Sequence, residues 1–166
     1  MNFTSFSRVV SHPATRIALM LIRFYLAFVF ISACLHKLAD PTSFAVDIAT
    51  YQMLPLVFIN PLAIVLPYVE FGTGIMLAIG LRARAAALMV CGMMLMFMIA
   101  LSYALMHDLT ISCGCFASNA AAGSDPISGL TMLRDSAWLL LAVLVVIFDK
   151  IPLGIDALIE RRRKSV

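Results

Sequence analysis

The apolar residues of the chain fall into four long runs, near 17–36, 61–80, 85–106 and 129–148. Each is close to the ~20 residues that a helix needs to cross the hydrocarbon of a bilayer. Polar breaks between them carry helix-start signals. Asp40-Pro41 joins a side-chain cap to a residue whose missing N–H costs nothing at the first helical position. Phe44, Ile48 and Tyr51 follow at helical spacing, which predicts a short amphipathic helix lying on the membrane surface. Asn60-Pro61 and Asp125-Pro126 repeat the start signal ahead of the second and fourth runs. Within the second run, Pro67 predicts a kink that frees a backbone carbonyl. Gly74 and Ala78 form a small-xxx-small pair that lets another helix approach closely. The expected fold is all-α: one integral membrane domain over residues 1–166, a four-helix bundle with a short amphipathic surface helix between spans 1 and 2.

Composition sharpens this. With 63% hydrophobic residues, 13% charged and a mean hydropathy of +1.01, the chain cannot be a soluble globular domain. The distribution of its net charge of +3 matters more than the sum. If the N-terminus is cytoplasmic, Arg8, Arg16, Arg82, Arg84, Lys150, Arg161, Arg162, Arg163 and Lys164 lie inside, against Lys37 and Arg134 outside. This predicts a bacterial inner-membrane protein with both termini cytoplasmic and the 107–128 loop in the periplasm. The basic tail over 150–166 reads as a surface helix for anionic lipid headgroups, so membrane lipid and not nucleic acid is its expected partner. A cleaved signal competes for the first run, and Ile31-Ser32-Ala33-Cys34 resembles a lipobox. Arg23 within the run and the need for a partner helix argue against cleavage.

Candidate chemistry concentrates in the loop. Cys113-Gly114-Cys115-Phe116 places two sulfurs around a glycine that lets the backbone bend into a small disulfide ring. A ring that tight is strained, and strained disulfides are readily reduced. On the periplasmic side the pair can be oxidised and stay so. His36 and Lys37 close the first span, and Arg134 with Asp135 opens the last. They are expected to gather with Asp40 and Tyr51 at the mouth below the loop. Cationic neighbours favour the thiolate, the attacking species, so Lys37, Arg134 and His36 are candidates to activate Cys113 or Cys115. Ordinary snorkelling at the membrane interface is the competing reading. Cys34 is a candidate third thiol, with inert packing the commoner role for a helix cysteine. Cys91 is assigned no chemistry.

Ionisable residues within a bilayer are costly and point to a protein interior or a function. Arg23 and Glu70 sit on antiparallel spans, and an Arg23–Glu70 ion pair is expected, as a register lock or as a proton or quinone site. Met89, Met93 and Met96 share a face that copper would accept, although packing accounts for them better.

Arg23, His36-Lys37-Leu38, Asp40-Pro41, Phe44, Tyr51, Leu54-Pro55, Pro67 with Glu70, Gly74, Gly80, Cys113-Gly114-Cys115-Phe116 and Arg134-Asp135 together resemble the DoxX-like superfamily. The resemblance is closest to the branch typified by the methylamine utilisation protein MauE, and covers residues 16 to 148. Ala117 stands where that family has a glycine. The resemblance implies redox work outside the cytoplasm. Its MauE-type members are linked to maturation and disulfide formation in an exported dehydrogenase subunit beside a thioredoxin-like partner, and its DoxX relatives to quinone-reactive membrane oxidoreductases. The expected function is thiol–disulfide transfer through Cys113/Cys115: thiolate attack, a mixed disulfide with a periplasmic redox protein, then ring closure, with electrons passed to a membrane quinone near Arg23 and Glu70. Two alternatives stay open. One is a structural or assembly subunit of a larger oxidoreductase complex. The other is a metal site on Cys113, Cys115 and a histidine such as His36 or His107, whose ligand set is incomplete.

Overall fold

The computed structural model describes residues 13–107, 129–149 and Arg162. The thiol motif at Cys113 and Cys115, the leading residues and the rest of the basic tail lie outside the described residues. Among those described, five helices form and no strand: α1 Pro13–Ala39, α2 Pro41–Thr50, α3 Leu56–Ile79, α4 Ala83–Met106 and α5 Gly129–Phe148. Four of them, α1, α3, α4 and α5, are long and apolar enough to cross a membrane.

Helix seams follow from spacing. In α1 the buried positions Leu19, Arg23, Leu26, Phe30, Cys34 and Lys37 recur at three- and four-residue intervals. Ile59, Ala63, Pro67, Glu70, Thr73 and Leu77 do the same in α3. Such narrow stripes suit antiparallel helices packed side by side. The remaining faces stay apolar and exposed, as Phe28, Val57, Leu88 and Leu130 show. That is the pattern of a helix whose outer surface meets lipid rather than water.

Contacts join α1 to α3, α3 to α4, α4 to α5 and α5 back to α1, so the four long helices close into a ring. The α1–α3 and α4–α5 seams are the most extensive. Gly74 explains the first. A Cβ at that position would stand 2.8 Å from Ile31 Cγ1 and 3.5 Å from the Ala27 carbonyl oxygen, so the missing side chain admits α1. α2 lies across one end of the ring, against α3 and α1. Its Asp40 cap forms as expected: Oδ1 accepts from the Thr42 and Ser43 N–H groups at 3.2 and 3.1 Å, and Oδ2 accepts from Ser43 Oγ at 2.6 Å.

The start expected at Asn60-Pro61 is corrected. α3 begins at Leu56, and Pro61 lies inside it. Pro55 supplies the entry instead, with extended backbone at φ −59° and ψ 141° and its carbonyl accepting from the Phe58 N–H at 3.0 Å. Leu56, Val57 and Phe58 extend the apolar surface that lipid would cover. Pro67, expected to kink the span, is buried within the same continuous helix.

The close-packed core sits toward the end opposite α2. Leu26, Phe30, Leu77, Val90, Met94 and Val145 anchor it, with small alanines of α4 and α5 between them.

Candidate functional site

The direction of side chains decides which charges meet. In an α-helix every Cα–Cβ bond tilts toward the N-terminus. α1 and α3 run antiparallel, so Lys37 leans back into the bundle while Glu70 leans toward α2. They meet: Lys37 Nζ donates to Glu70 Oε1 at 3.2 Å and Oε2 at 3.1 Å, both side chains buried. The same ammonium stands 4.8 Å from the centre of the Phe44 ring on α2, within cation–π range.

Arg23, on the same helix, leans as Lys37 does, toward the N-terminus of α1 and so away from Glu70. Its Nε and Nη2 donate to the Leu77 carbonyl at 3.4 and 3.2 Å, and its Nη1 reaches Asp149 Oδ2 at 3.4 Å. The expected Arg23–Glu70 pair is therefore not formed. Glu70 lies seven residues (77 − 70) along α3 from the carbonyl that Arg23 binds, about 10 Å at helical rise. The Leu77 carbonyl is available because α3 ends on Gly80 in the left-handed conformation, where the N–H groups of Gly80 and Leu81 both turn to the Met76 carbonyl. A cation at a helix C-terminus satisfies such an end carbonyl and complements the helix dipole. Arg23 is thus a cap that ties α1 and α3 to the end of α5.

Between the core and α2 the bundle opens into a chamber of about 650 Å³ lined by all five helices. Most of its wall is hydrocarbon, aromatic ring or thioether. Its polar groups are Lys37, Glu70, Asp47, Tyr51 and Asp135. Asp135 is fully buried; its Oδ1 accepts from Arg134 Nε at 3.1 Å, and among the described residues its Oδ2 has no hydrogen-bond partner. Arg134 also stands over the Trp138 ring at 4.9 Å, and Trp138 Nε1 donates to the Tyr25 hydroxyl at 3.1 Å.

On α2 and its end, the chamber changes acidity. Burial pushes the Asp47 carboxyl up from its ordinary range, against the opposing pull of His36 and Lys37. Tyr51 is pushed up to about 12, first by burial and then by the negative charges of Asp47 and Asp135. Asp40, outside the chamber and exposed, is held low by the Ser43 hydroxyl and the backbone N–H groups it caps.

Of the residues singled out in the sequence, the structure brings Lys37, Glu70, Tyr51 and Asp135 to one chamber and seats Arg134 against Asp135. His36 is half-buried at the end of α1. Arg23 belongs to the opposite end. Cys34 is fully buried, its Sγ donating to the Ile31 carbonyl at 3.2 Å, and Cys91 is buried in the core. Met93 and Met96 line the chamber while Met89 faces outward. Among the described residues no three His, Cys, Asp or Glu side chains converge as metal ligands. Sequence reasoning missed Asp47 and Asp149. Asp47 lies three residues from Phe44 and four from Tyr51, on the inward face of the surface helix, which was the available signal.

A family model described as "Methylamine utilisation protein MauE" matches residues 15–148. The chain is 30% identical over 137 residues to the Paracoccus denitrificans protein described as "Methylamine utilization protein MauE", an overlap of 82% of this chain and 71% of that one. No solved structure matches.

Proposed function

Because the chain belongs to the MauE family of methylamine utilisation proteins, we propose that it is a bacterial inner-membrane redox protein that serves the maturation of an exported dehydrogenase subunit by thiol–disulfide transfer. The observation that carries this reading is Cys113-Gly114-Cys115 within the family-matched span of a chain whose described residues include four helices long and apolar enough to cross a membrane. The Lys/Arg bias supports a periplasmic loop. A kinship with the wider DoxX-like superfamily is part of the same proposal.

The chemistry is reversible exchange. A partner thiolate attacks one sulfur of the Cys113–Cys115 disulfide, forming an intermolecular S–S bond and releasing the other sulfur as a thiolate that takes up a proton. The partner's second thiolate then displaces the first sulfur. The partner leaves oxidised, and two electrons with two protons rest on Cys113 and Cys115. A membrane quinone takes both pairs, becoming a quinol as the ring re-forms. Run backwards, the attack starts from Cys113 or Cys115 on a partner disulfide, and closure of the ring leaves the partner reduced. The partner is a periplasmic thioredoxin-like protein or another redox protein. Lys37, Arg134 and His36 are the candidate activators of the thiolate in this scheme.

Thiol trapping in intact cells tests it. A mixed disulfide should accumulate in Cys113→Ser or in Cys115→Ser, but not in the double variant. Full maturation of the exported subunit in the double variant would leave a loop staple in an assembly subunit and end the redox reading.

A further inference from the structure

We propose that the chamber between the core and α2 is a binding site for the ring head of a lipid-soluble quinone or quinol, held by Asp135 and the Lys37–Glu70 pair. This deepens the acceptor half of the function proposed above and moves it from Arg23, at the far end of the bundle, to the α2 end. Binding there does not require Cys113 or Cys115.

Three observations carry the assignment. The volume, about 650 Å³, is that of a small-molecule site and larger than packing defects leave. Its polar groups ask for a neutral head with both a donor and an acceptor. Asp135 Oδ2 is buried without a partner among the described residues, a costly arrangement that a ligand hydroxyl relieves, or a ligand carbonyl if the acid is protonated. An ammonium has three donors, and Glu70 takes two hydrogen bonds from Lys37, which leaves one for a ligand oxygen. Ring hydroxyls and ring carbonyls meet both demands and carry no charge into the bilayer.

The third observation is the wall. Phe30, Phe58, Phe97, Met93, Met94 and Trp138 offer faces and thioethers suited to a flat ring. Val65, Met96 and Ile99 line the same space yet stand exposed on the outer surface of α3 and α4. The chamber therefore opens sideways, where hydrocarbon would lie, and an apolar tail can remain in lipid.

Trp138 is the sole tryptophan of the chain and lines the chamber, so its emission reports occupancy. In phosphatidylcholine vesicles, a benzoquinone bearing a medium-length alkyl tail should quench that emission saturably. Asp135→Leu should weaken the apparent affinity roughly tenfold, the scale of one lost hydrogen bond. Ala100→Phe, which fills the chamber from α4, should abolish the saturable component; it carries the test if Asp135→Leu fails to fold. The Cys113→Ser/Cys115→Ser variant should bind like the parent, which separates this site from the thiol chemistry. Quenching that rises linearly and equally in parent and Ala100→Phe overturns the proposal. So does displacement by an alkyl alcohol or an alkylammonium of equal tail length as readily as by the quinone.

Discussion

Lys37 and Arg23 share one helix but serve opposite ends, because the backbone tilts both side chains toward the N-terminus of α1 and the available partners differ. From the sequence, charge and depth alone suggested Arg23 with Glu70. The lean of each side chain, which spacing does not display, selected Lys37 for Glu70 and Asp149 for Arg23. Removing one partner of a buried pair strands the other charge, at roughly 3–5 kcal/mol, whereas replacing both by apolar groups is often neutral. Lys37→Met should therefore destabilise the protein strongly in detergent, and Lys37→Met/Glu70→Met should recover most of the loss. Thermal unfolding of the three proteins checks this, and a purely additive double variant would refute it. Tyr51 gives a second residue-scale outcome. Its folded pKa is pushed up to about 12 from a usual 10.0, so the unfolded phenol ionises first. The stabilisation is complete below the usual value and is lost as pH rises toward the folded one. Between those limits the parent should lose stability faster than Tyr51→Phe, as paired denaturation curves would record. Parallel curves would mean that the phenol is not enclosed.

At the scale of elements, the long helices were legible because a membrane span needs a long apolar run and little else does. The Asp40 cap places α2 where Asp40-Pro41 suggested. The entry to α3 was harder to see: Asn60-Pro61 has the chemistry of a start, but a proline early in a helix is tolerated when the chain is already turning at Pro55. The chamber was not legible at all. It arises where α2 bridges α1 and α3 above a core that stops short, and no single run of residues encodes a gap. Gly74 is the sharpest element-scale prediction. Gly74→Val must push Ile31 and the α1 backbone away, at a cost of about 1–3 kcal/mol for overpacking. Gly72, with no atom of the described residues within 4 Å of an added Cβ, should accept Ala with little change. Unfolding midpoints of Gly74→Val and Gly72→Ala compared with the parent decide it; equal midpoints would contradict the close seam.

For the whole molecule, the proposed orientation is open to direct measurement. After reduction, a membrane-impermeant maleimide added outside intact cells should label Cys113 and Cys115, while Cys34 and Cys91, both buried in the bundle, should stay unlabelled until the protein is denatured. Labelling of the loop only after permeabilisation would invert the topology. The ring of helices also bears on how the protein is made. Arg23 belongs to the first span and its carboxylate partner Asp149 follows the last, 126 residues later. At ribosomal speeds of about 5–20 residues per second, that interval is on the order of ten seconds. Throughout it the newborn first helix carries a guanidinium whose counter-ion has not yet been synthesised. Until the final span arrives, the Leu77 carbonyl of α3 can hold Arg23, but the carboxylate that balances its charge is still to come.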